Sequence, residues 1–350
     1  MFGPKKFRDL VSGQSHGVGP ATLRGGLRAA EVLYTAAVRW RNRRYDRGAS
    51  AIHRVSVPVV SVGNLTLGGT GKSPMVEWLV RWMRDQHIRA AVISRGYGAG
   101  DDAWNDEAKE LSQKLPDVPH LQNPDRVAAA RQAIAQFGCE AIVLDDGFQH
   151  RRIARDVDIV LLDALEPFGF GHIFPRGTLR EPVEGLRRTS AVVLSRADLI
   201  QPTARQEIWR TVQRHAPQAV EAEAIHAPSG LVAHSGRQSP IEDLRGQSVA
   251  AFCGIGNPAG FRHTLESCGC HVAAFWAFGD HHRFSQKDID ALVAWIARFD
   301  VSAVLCTRKD LVKLSTDLIG GKPLWALDIA LDFLSGCDAL KTVLTRAFGR

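Results

Sequence analysis

The stretch that most constrains this chain is Val57–Val80, VPVVSVGNLTLGGTGKSPMVEWLV: an apolar, Val-rich run, a glycine-rich turn, then a helical pattern opening with Lys72 and Ser73. Such a run buries as a strand, and Gly68, Gly69 and Gly71 let the backbone fold back with its N–H groups pointing inward. The positive end of the next helix dipole adds to those donors, and the combination binds polyphosphate. In this reading Leu67, Gly68, Gly69, Thr70, Gly71, Lys72 and Ser73 form a nucleotide-phosphate loop. Lys72, reaching the β- and γ-phosphates, counts among the catalytic groups, and the Ser73 hydroxyl ligates Mg²⁺. Pro74 fits because an early helical position needs no N–H. The first glycine of GxxxxGK[ST] would fall at position 66, where this chain has Thr66. A plain Gly-rich βα turn of a dinucleotide fold is the alternative, but it does not require Gly-Lys-Ser.

At 350 residues, with 45% hydrophobic and 23% charged side chains, the chain is globular and long enough for two ordinary domains. Its 44 basic against 37 acidic side chains give +7, which suits an anionic partner: nucleotide, nucleic acid or an anionic membrane. The six cysteines are scattered, as reduced buried thiols would be, and Cys268-Gly269-Cys270 lacks the second pair that a zinc site needs. No apolar run of about 18 residues occurs and the N-terminus lacks a signal peptide's apolar core. The expectation is a cytosolic chain, or one attached to a membrane without crossing it.

Residues 1–20 are Gly-rich and polar and read as a poorly ordered lead-in. Ala21–Arg47 reads as a helix: at about 100° per residue Leu23, Leu27, Ala30, Tyr34 and Ala37 share a face, with Arg24, Arg28, Arg39 and Arg43 on the far side. An apolar stripe backed by arginines suits the headgroup region of an anionic bilayer, and it equally suits a surface helix docked on its own domain. Beyond Arg47 strand-like runs at Val57–Val62, Ala90–Ser94, Ala141–Leu144, Ile159–Leu162 and Ala191–Leu194 alternate with helical stretches such as Pro124–Gln136 and Ala204–His215. Ala227–Pro240 reads as a polar linker, after which a smaller series begins, with strands at Ser248–Cys253, His271–Phe275, Ala303–Cys306 and Leu324–Leu327. Its helices are Pro258–Cys268, Gln286–Phe299 and Asp338–Phe348. The expected fold class is α/β: a P-loop NTPase-type parallel sheet sandwiched by helices, plus a smaller second α/β domain and an N-terminal amphipathic helix. The expected boundaries are 1–48 for the membrane-associating helix, 49–235 for the P-loop kinase domain and 236–350 for the C-terminal domain.

Ala141–Asp146 ends a buried strand with two carboxylates, and Asp145 or Asp146 beside the P-loop strand is where a Mg²⁺ partner is needed. Gln149, His150 and Arg151 continue this edge toward phosphates, or form a solvated basic turn. A kinase acting on a hydroxyl benefits from a carboxylate that receives its proton, oriented by a neighbour. Asp106 in Asn105-Asp106-Glu107 and His281 in Asp280-His281-His282 are of the right types. Arg126, Arg176, Arg180 and Arg196 are candidate phosphate clamps. Ser195-Arg196-Ala197-Asp198 bears a faint likeness to the base-reading NKxD of GTPases, without its Asn or Lys.

Together these residues resemble the tetraacyldisaccharide 4′-kinases, the lipid A 4′-kinases of Gram-negative envelope synthesis. The segments that carry the resemblance are VGNLTLGGTGKSP (62–74), SRGYG (94–98), NDE (105–107), NPDR (123–126), LDDGFQHR (144–151), FPRGTLREP (174–182), SRAD (195–198), GIGNP (254–258), DH (280–281) and TRKD (307–310). Thr66 is itself what that family's P-loop looks like. The resemblance implies ATP- and Mg²⁺-dependent phosphorylation of the 4′-hydroxyl of an acylated glucosamine disaccharide 1-phosphate at the cytoplasmic face of the inner membrane. The partners so implied are that lipid and an anionic membrane surface, not nucleic acid. It matches Lys72 and Ser73 to ATP and Mg²⁺, Asp145 and Asp146 to the Walker B position, Asp106 to the catalytic base and His281 to its dyad partner. Arg126, Gln149, Arg180 and Glu181 match substrate or transition-state contacts.

Where the family has Gly-Asp-Glu-Pro, this chain has Asn105-Asp106-Glu107-Ala108, and only seven residues separate Gly98 from Asp106 where relatives carry a longer insert. A small or absent lid is expected. Arg308 stands where relatives tend to have Glu and receives no role. Two other readings stay open on the sequence: a soluble P-loop kinase or ligase for a small polar substrate, and a non-catalytic nucleotide switch that recruits partners to membranes.

Overall fold

Chain entry is helical in the computed structural model, which describes residues 4–96, 106–279 and 282–349. Helices α1 (Pro4–Val11) and α2 (Val18–Asp46) occupy most of what was expected to be a loose lead-in. A helix this short is not stable alone, and tertiary bonds hold it. Leu10 and Val11 are buried, Arg176 Nη1 donates to Val11 O (2.9 Å) and Arg24 Nη1 to Ser15 O (2.8 Å). The segment between Gly98 and Asp106, where a small or absent lid is expected, lies outside the described residues.

The chain then runs through β1 (Val59–Asn64), α3 (Lys72–Asp85), β2 (Ala90–Ser94), α4 (Asp106–Lys114), β3 (His120–Gln122), α5 (Arg126–Phe137), β4 (Ala141–Asp145), β5 (Val157–Asp163), β6 (Ala191–Ser195), α6 (Pro202–His215) and β7 (Val220–Val232). After it come β8 (Gln238–Ser239), β9 (Ser248–Cys253), α7 (Pro258–Ser267), β10 (His271–Ala277), α8 (Gln286–Ile296), β11 (Ala303–Thr307), α9 (Arg308–Leu311), β12 (Leu318–Ile319), β13 (Lys322–Ser335) and α10 (Cys337–Ala347).

Packing groups these elements into two units that depart from the contiguous boundaries at 48/49 and 235/236. The first holds the residues up to Gly96, Pro116–Ile225 and the end of the chain from Leu331; the second holds α4 and the residues between His226 and Ala330. The C-terminus joins the first unit because α10 buries Leu340 and Leu344 there, while Phe333 meets Trp78 (4.9 Å between centroids) and Phe348 meets Trp82 (6.2 Å).

In the first unit the strands pair in parallel in the order β7-β6-β5-β1-β4-β2-β3. Every residue of β1, β2, β5 and β6 is buried, as strands covered on both faces must be. β4 lies between β1 and β2, and the chain then crosses β1 to reach β5, so β1 sits where the winding reverses. Ligands of such sheets bind at that point, outside the carboxyl ends of the strands.

The second unit pairs β10-β9-β11-β13 in parallel, with β12 antiparallel on β13. Alternate side chains of β9 enter different cores: Ala250 and Phe252 meet Leu292 and Ile296 of α8, whereas Val249, Ala251 and Cys253 meet Phe261 and Leu265 of α7. The expected linker Ala227–Pro240 is corrected: Leu231 and Val232 are buried strand residues, paired antiparallel with Ser239 and Gln238.

Candidate active site

The loop between β1 and α3 is shaped by two glycines with positive φ, Gly68 (125°) and Gly71 (86°), the latter capping α3. Lys72 is the first residue of α3 and Ser73 follows it, so both stand at the positive end of the helix. Gly68 and Gly69 have nothing within 4 Å of where a Cβ would be, which leaves their face of the loop open. One flank of the loop is zipped to a later segment: Leu67 N donates to Thr178 O (2.7 Å) and Arg180 N to Leu65 O (2.7 Å). That zipper carries the Arg180 side chain to the loop's mouth.

There three cationic side chains gather about one carboxylate. Arg180 grips Asp146 with both terminal nitrogens, Nη1 to Oδ1 at 2.5 Å and Nη2 to Oδ2 at 3.0 Å, and Lys72 Nζ stands 3.8 Å from Oδ1. Asp146 sits at φ 55°, a conformation uncommon for a residue with a side chain and most often kept where function requires it. Burial would raise the Asp146 pKa, but Lys72, the paired Arg180 and Arg126 outweigh it and hold the carboxyl below its ordinary value. Arg126 is itself buried; burial lowers its pKa, and the charge of Asp146 opposes that effect. Its place is set by Asp125, whose carboxylate caps α5 by accepting from Val127 N (3.0 Å) and Ala128 N (3.2 Å).

Asp145 ends β4 and is in register with Val62 of β1. Mg²⁺ takes one or two carboxylates and completes its shell with hydroxyl, water and phosphate oxygens, and the oxygen donors of Ser73, Asp145 and Asp146 fit that requirement. No cluster of three or more His, Cys, Asp or Glu suited to a metal exists among the described residues, and all six cysteines are free thiols.

Gln149 donates through Nε2 to Asn64 O (2.9 Å) and to Glu181 Oε1 (3.1 Å). Glu181 has no exposed surface; its other oxygen accepts from Arg188 Nη2 (2.9 Å) and Asn42 Nδ2 (3.1 Å). It therefore braces Gln149 against α2. Sequence reading missed Asn42 and Asn64, whose short polar side chains gave no signal outside their tertiary setting.

Of the basic groups expected at phosphates, Arg151, Arg176 and Arg196 turn elsewhere and His150 is uncharged. Arg151 bonds Asn42 O (3.0 Å) and Asp46 (2.8 Å) of α2, and Arg176 bonds Val11 O. His150 is pushed down to about 4, by burial first and then by Arg126, Arg152 and Arg155, so at neutral pH it brings no charge. Arg196 pairs with Asp163 and with a P-loop carbonyl. Asp106 opens α4 in the second unit, where only its backbone is described, and His281 lies outside the described residues.

A family model described as Tetraacyldisaccharide-1-P 4′-kinase matches residues 23–348. The tetraacyldisaccharide 4′-kinase of Anaeromyxobacter dehalogenans (strain 2CP-C) is 41% identical over 334 residues, 90% of this chain and 88% of that protein. That of Desulfatibacillum aliphaticivorans is 36% identical over 339 residues, 88% of each. The solved structure of LpxK from Aquifex aeolicus in complex with ATP superposes with a TM-score of 0.75 at 28% identity, covering 93% of this chain and 99% of that one. With the family model spanning most of its length and relatives this similar end to end, the chain belongs to the tetraacyldisaccharide 4′-kinase family.

Proposed function

We propose that the chain transfers the γ-phosphate of ATP, with Mg²⁺, to the 4′-hydroxyl of an acylated glucosamine disaccharide 1-phosphate, giving a lipid IVA-type product. The observation that carries this is the convergence of Lys72 and Arg180 on Asp146 at the mouth of a glycine loop, in a chain of this family. Phosphoryl transfer through a loose transition state needs positioning and charge neutralisation, and this cluster supplies both. Leu67–Ser73 receives the phosphates; Ser73 with Asp145 and Asp146 would hold Mg²⁺, which would supply neutralisation of the phosphate charge. Arg126 and Arg180 stabilise the transferring group, and Gln149, braced by Glu181, faces the substrate.

Asp106 acts as the base for the incoming hydroxyl with His281 as its partner. A base for the hydroxyl must be a carboxylate or imidazole within reach of it, and Asp106 and His281 are of those types. Helix α2 lies against an anionic membrane at the cytoplasmic face of the inner membrane, where the lipid is presented. Among the described residues no helix is long and apolar enough to cross a membrane, and a peripheral attachment agrees with that.

Incubation with γ-labelled ATP and the disaccharide 1-phosphate in mixed micelles tests the proposal by the appearance of label in the lipid. Asp106→Ala is expected to lower transfer by about 100-fold or more while leaving MgATP affinity intact. Unaltered turnover would remove Asp106 from the mechanism, and label that never reaches the lipid would leave a nucleotide-binding switch in place of a kinase.

A further inference from the structure

A loop that binds phosphate through its N–H groups turns its carbonyls the other way, and each buried carbonyl needs a donor. Side chains at and just beyond two strand ends supply those donors here. Asn64, ending β1, gives Nδ2 to Thr66 O (2.8 Å) and reaches Gly68 O (3.5 Å). Ser195, ending β6 and fully buried, gives Oγ to Thr70 O (2.9 Å). Arg196, the next residue, gives Nη2 to the carbonyl of the exposed Gly69 (3.1 Å), and its Nη1 is paired with Asp163, which ends β5. Asp163 and Ser195 are register partners, and β5 lies on the side of β1 away from β4. The loop is therefore held from the flank opposite Asp145 and Asp146.

We propose that Ser195, Arg196 and Asp163 are positioning residues of the nucleotide site, a clamp that sets the outward carbonyls of Gly69 and Thr70 and so aims the N–H groups of the loop at the phosphates. The proposal rests on reading Leu67–Ser73 as the ATP loop. In the sequence Arg196 is a candidate phosphate clamp; in the structure Asp163 neutralises its charge and its second nitrogen faces a carbonyl, which no phosphate can replace. A group of this kind acts through preorganisation: it lowers the cost of ordering the loop on binding and contributes nothing specific to the transition state. Its loss weakens ATP and ADP alike.

The test compares wild type with Ser195→Ala, Arg196→Met and Arg196→Lys by calorimetric titration of MgATP and MgADP, by steady-state kinetics in both substrates, and by thermal unfolding without nucleotide. Ser195→Ala and Arg196→Met are expected to weaken both nucleotides by about tenfold, with the loss in KM for ATP, KM for lipid unmoved, and turnover at saturating ATP kept to within about threefold. Arg196→Lys, which keeps a donor within reach of Gly69 O, should recover part of the affinity. A variant that merely folds poorly lowers turnover and the apo midpoint together without changing the affinity of its active fraction, which titration stoichiometry reveals. Equal nucleotide affinity in wild type, Ser195→Ala and Arg196→Met overturns the clamp and leaves the ATP loop standing. A fall in turnover at unchanged affinity also overturns it, assigning Arg196 to the transition state. No binding of MgATP by wild type removes the loop reading and the clamp with it.

Discussion

Helices α2 and α3 belong to one unit and are attached to it by opposite physics. In α3 Met75, Val76, Leu79, Val80, Trp82 and Met83 are buried, a wide apolar stripe laid on β1 and β4. Helix α2 is twice as long and buries Glu31, Val38 and Asn42. Most of its contacts are polar: Glu31 accepts from Ile173 N (2.9 Å) and from Arg28 (2.6 Å), Asn42 bonds Glu181, and Asp46 pairs with Arg151 and Arg187, while Tyr34 meets the Phe174 ring (5.9 Å between centroids). The buried stripe lies roughly a quarter turn from the apolar face expected in the sequence. Of that face Leu23, Ala30, Tyr34 and Ala37 are exposed, and beside it Leu33 is 75% exposed and Trp40 62%. A helix held by its polar residues is free to offer its apolar ones to something else, and exposed apolar side chains with arginines alongside suit a lipid headgroup layer.

The largest effect expected falls at the start of α3. Lys72→Ala should lower kcat/KM for ATP by about 1,000-fold if, as proposed, the lysine beside Asp146 also meets the phosphates. Chemical denaturation should then show the contrast between the helices: Met83→Ala, leaving a cavity under α3, is expected to cost about 2–4 kcal/mol. Leu33→Glu with Trp40→Glu in α2 should leave the denaturation midpoint in place and reduce co-sedimentation with anionic vesicles by about 10-fold or more. Vesicle binding that survives both changes would make α2 an ordinary docked helix.

The smallest effect concerns pH. Burial opposes ionisation of Glu31 and Asp46, but Arg28 with Ile173 N and His172, and Arg151 with Arg187, hold their pKa values below the ordinary 4.5 and 3.8. A carboxyl lowered on folding stabilises the fold above its unfolded value and ceases to do so as pH falls through its folded value. Hydrogen exchange should show α2 losing protection below about pH 4, with none lost between about pH 5 and 8, while α3 keeps its own.

The same contrast explains what could be read from the sequence. β1, the glycine loop and α3 were legible because a Val-rich run, glycines and a helical apolar stripe are local signals, and the α/β class followed from their repetition. β3 escaped because it is three residues long, and β7 because Glu221 and Glu223 interrupt its apolar pattern; Glu223 is held by Arg205 (2.5 Å) and Trp209 (2.9 Å), partners only the fold supplies. Lys72, Asp146 and Arg180 were nameable from their motifs, whereas the directions taken by Arg151, Arg176 and Arg196 were not. A guanidinium pairs with whichever carboxylate or carbonyl the chain brings to it, and sequence spacing does not say which.

Everything proposed for the site depends on a triphosphate resting on the loop between β1 and α3, and calorimetric titration of MgATP into wild type and Lys72→Ala measures that directly. One MgATP per chain is expected for wild type, with affinity lower by about 100-fold in Lys72→Ala. Failure of wild type to bind MgATP, or equal binding by the two proteins, would contradict it.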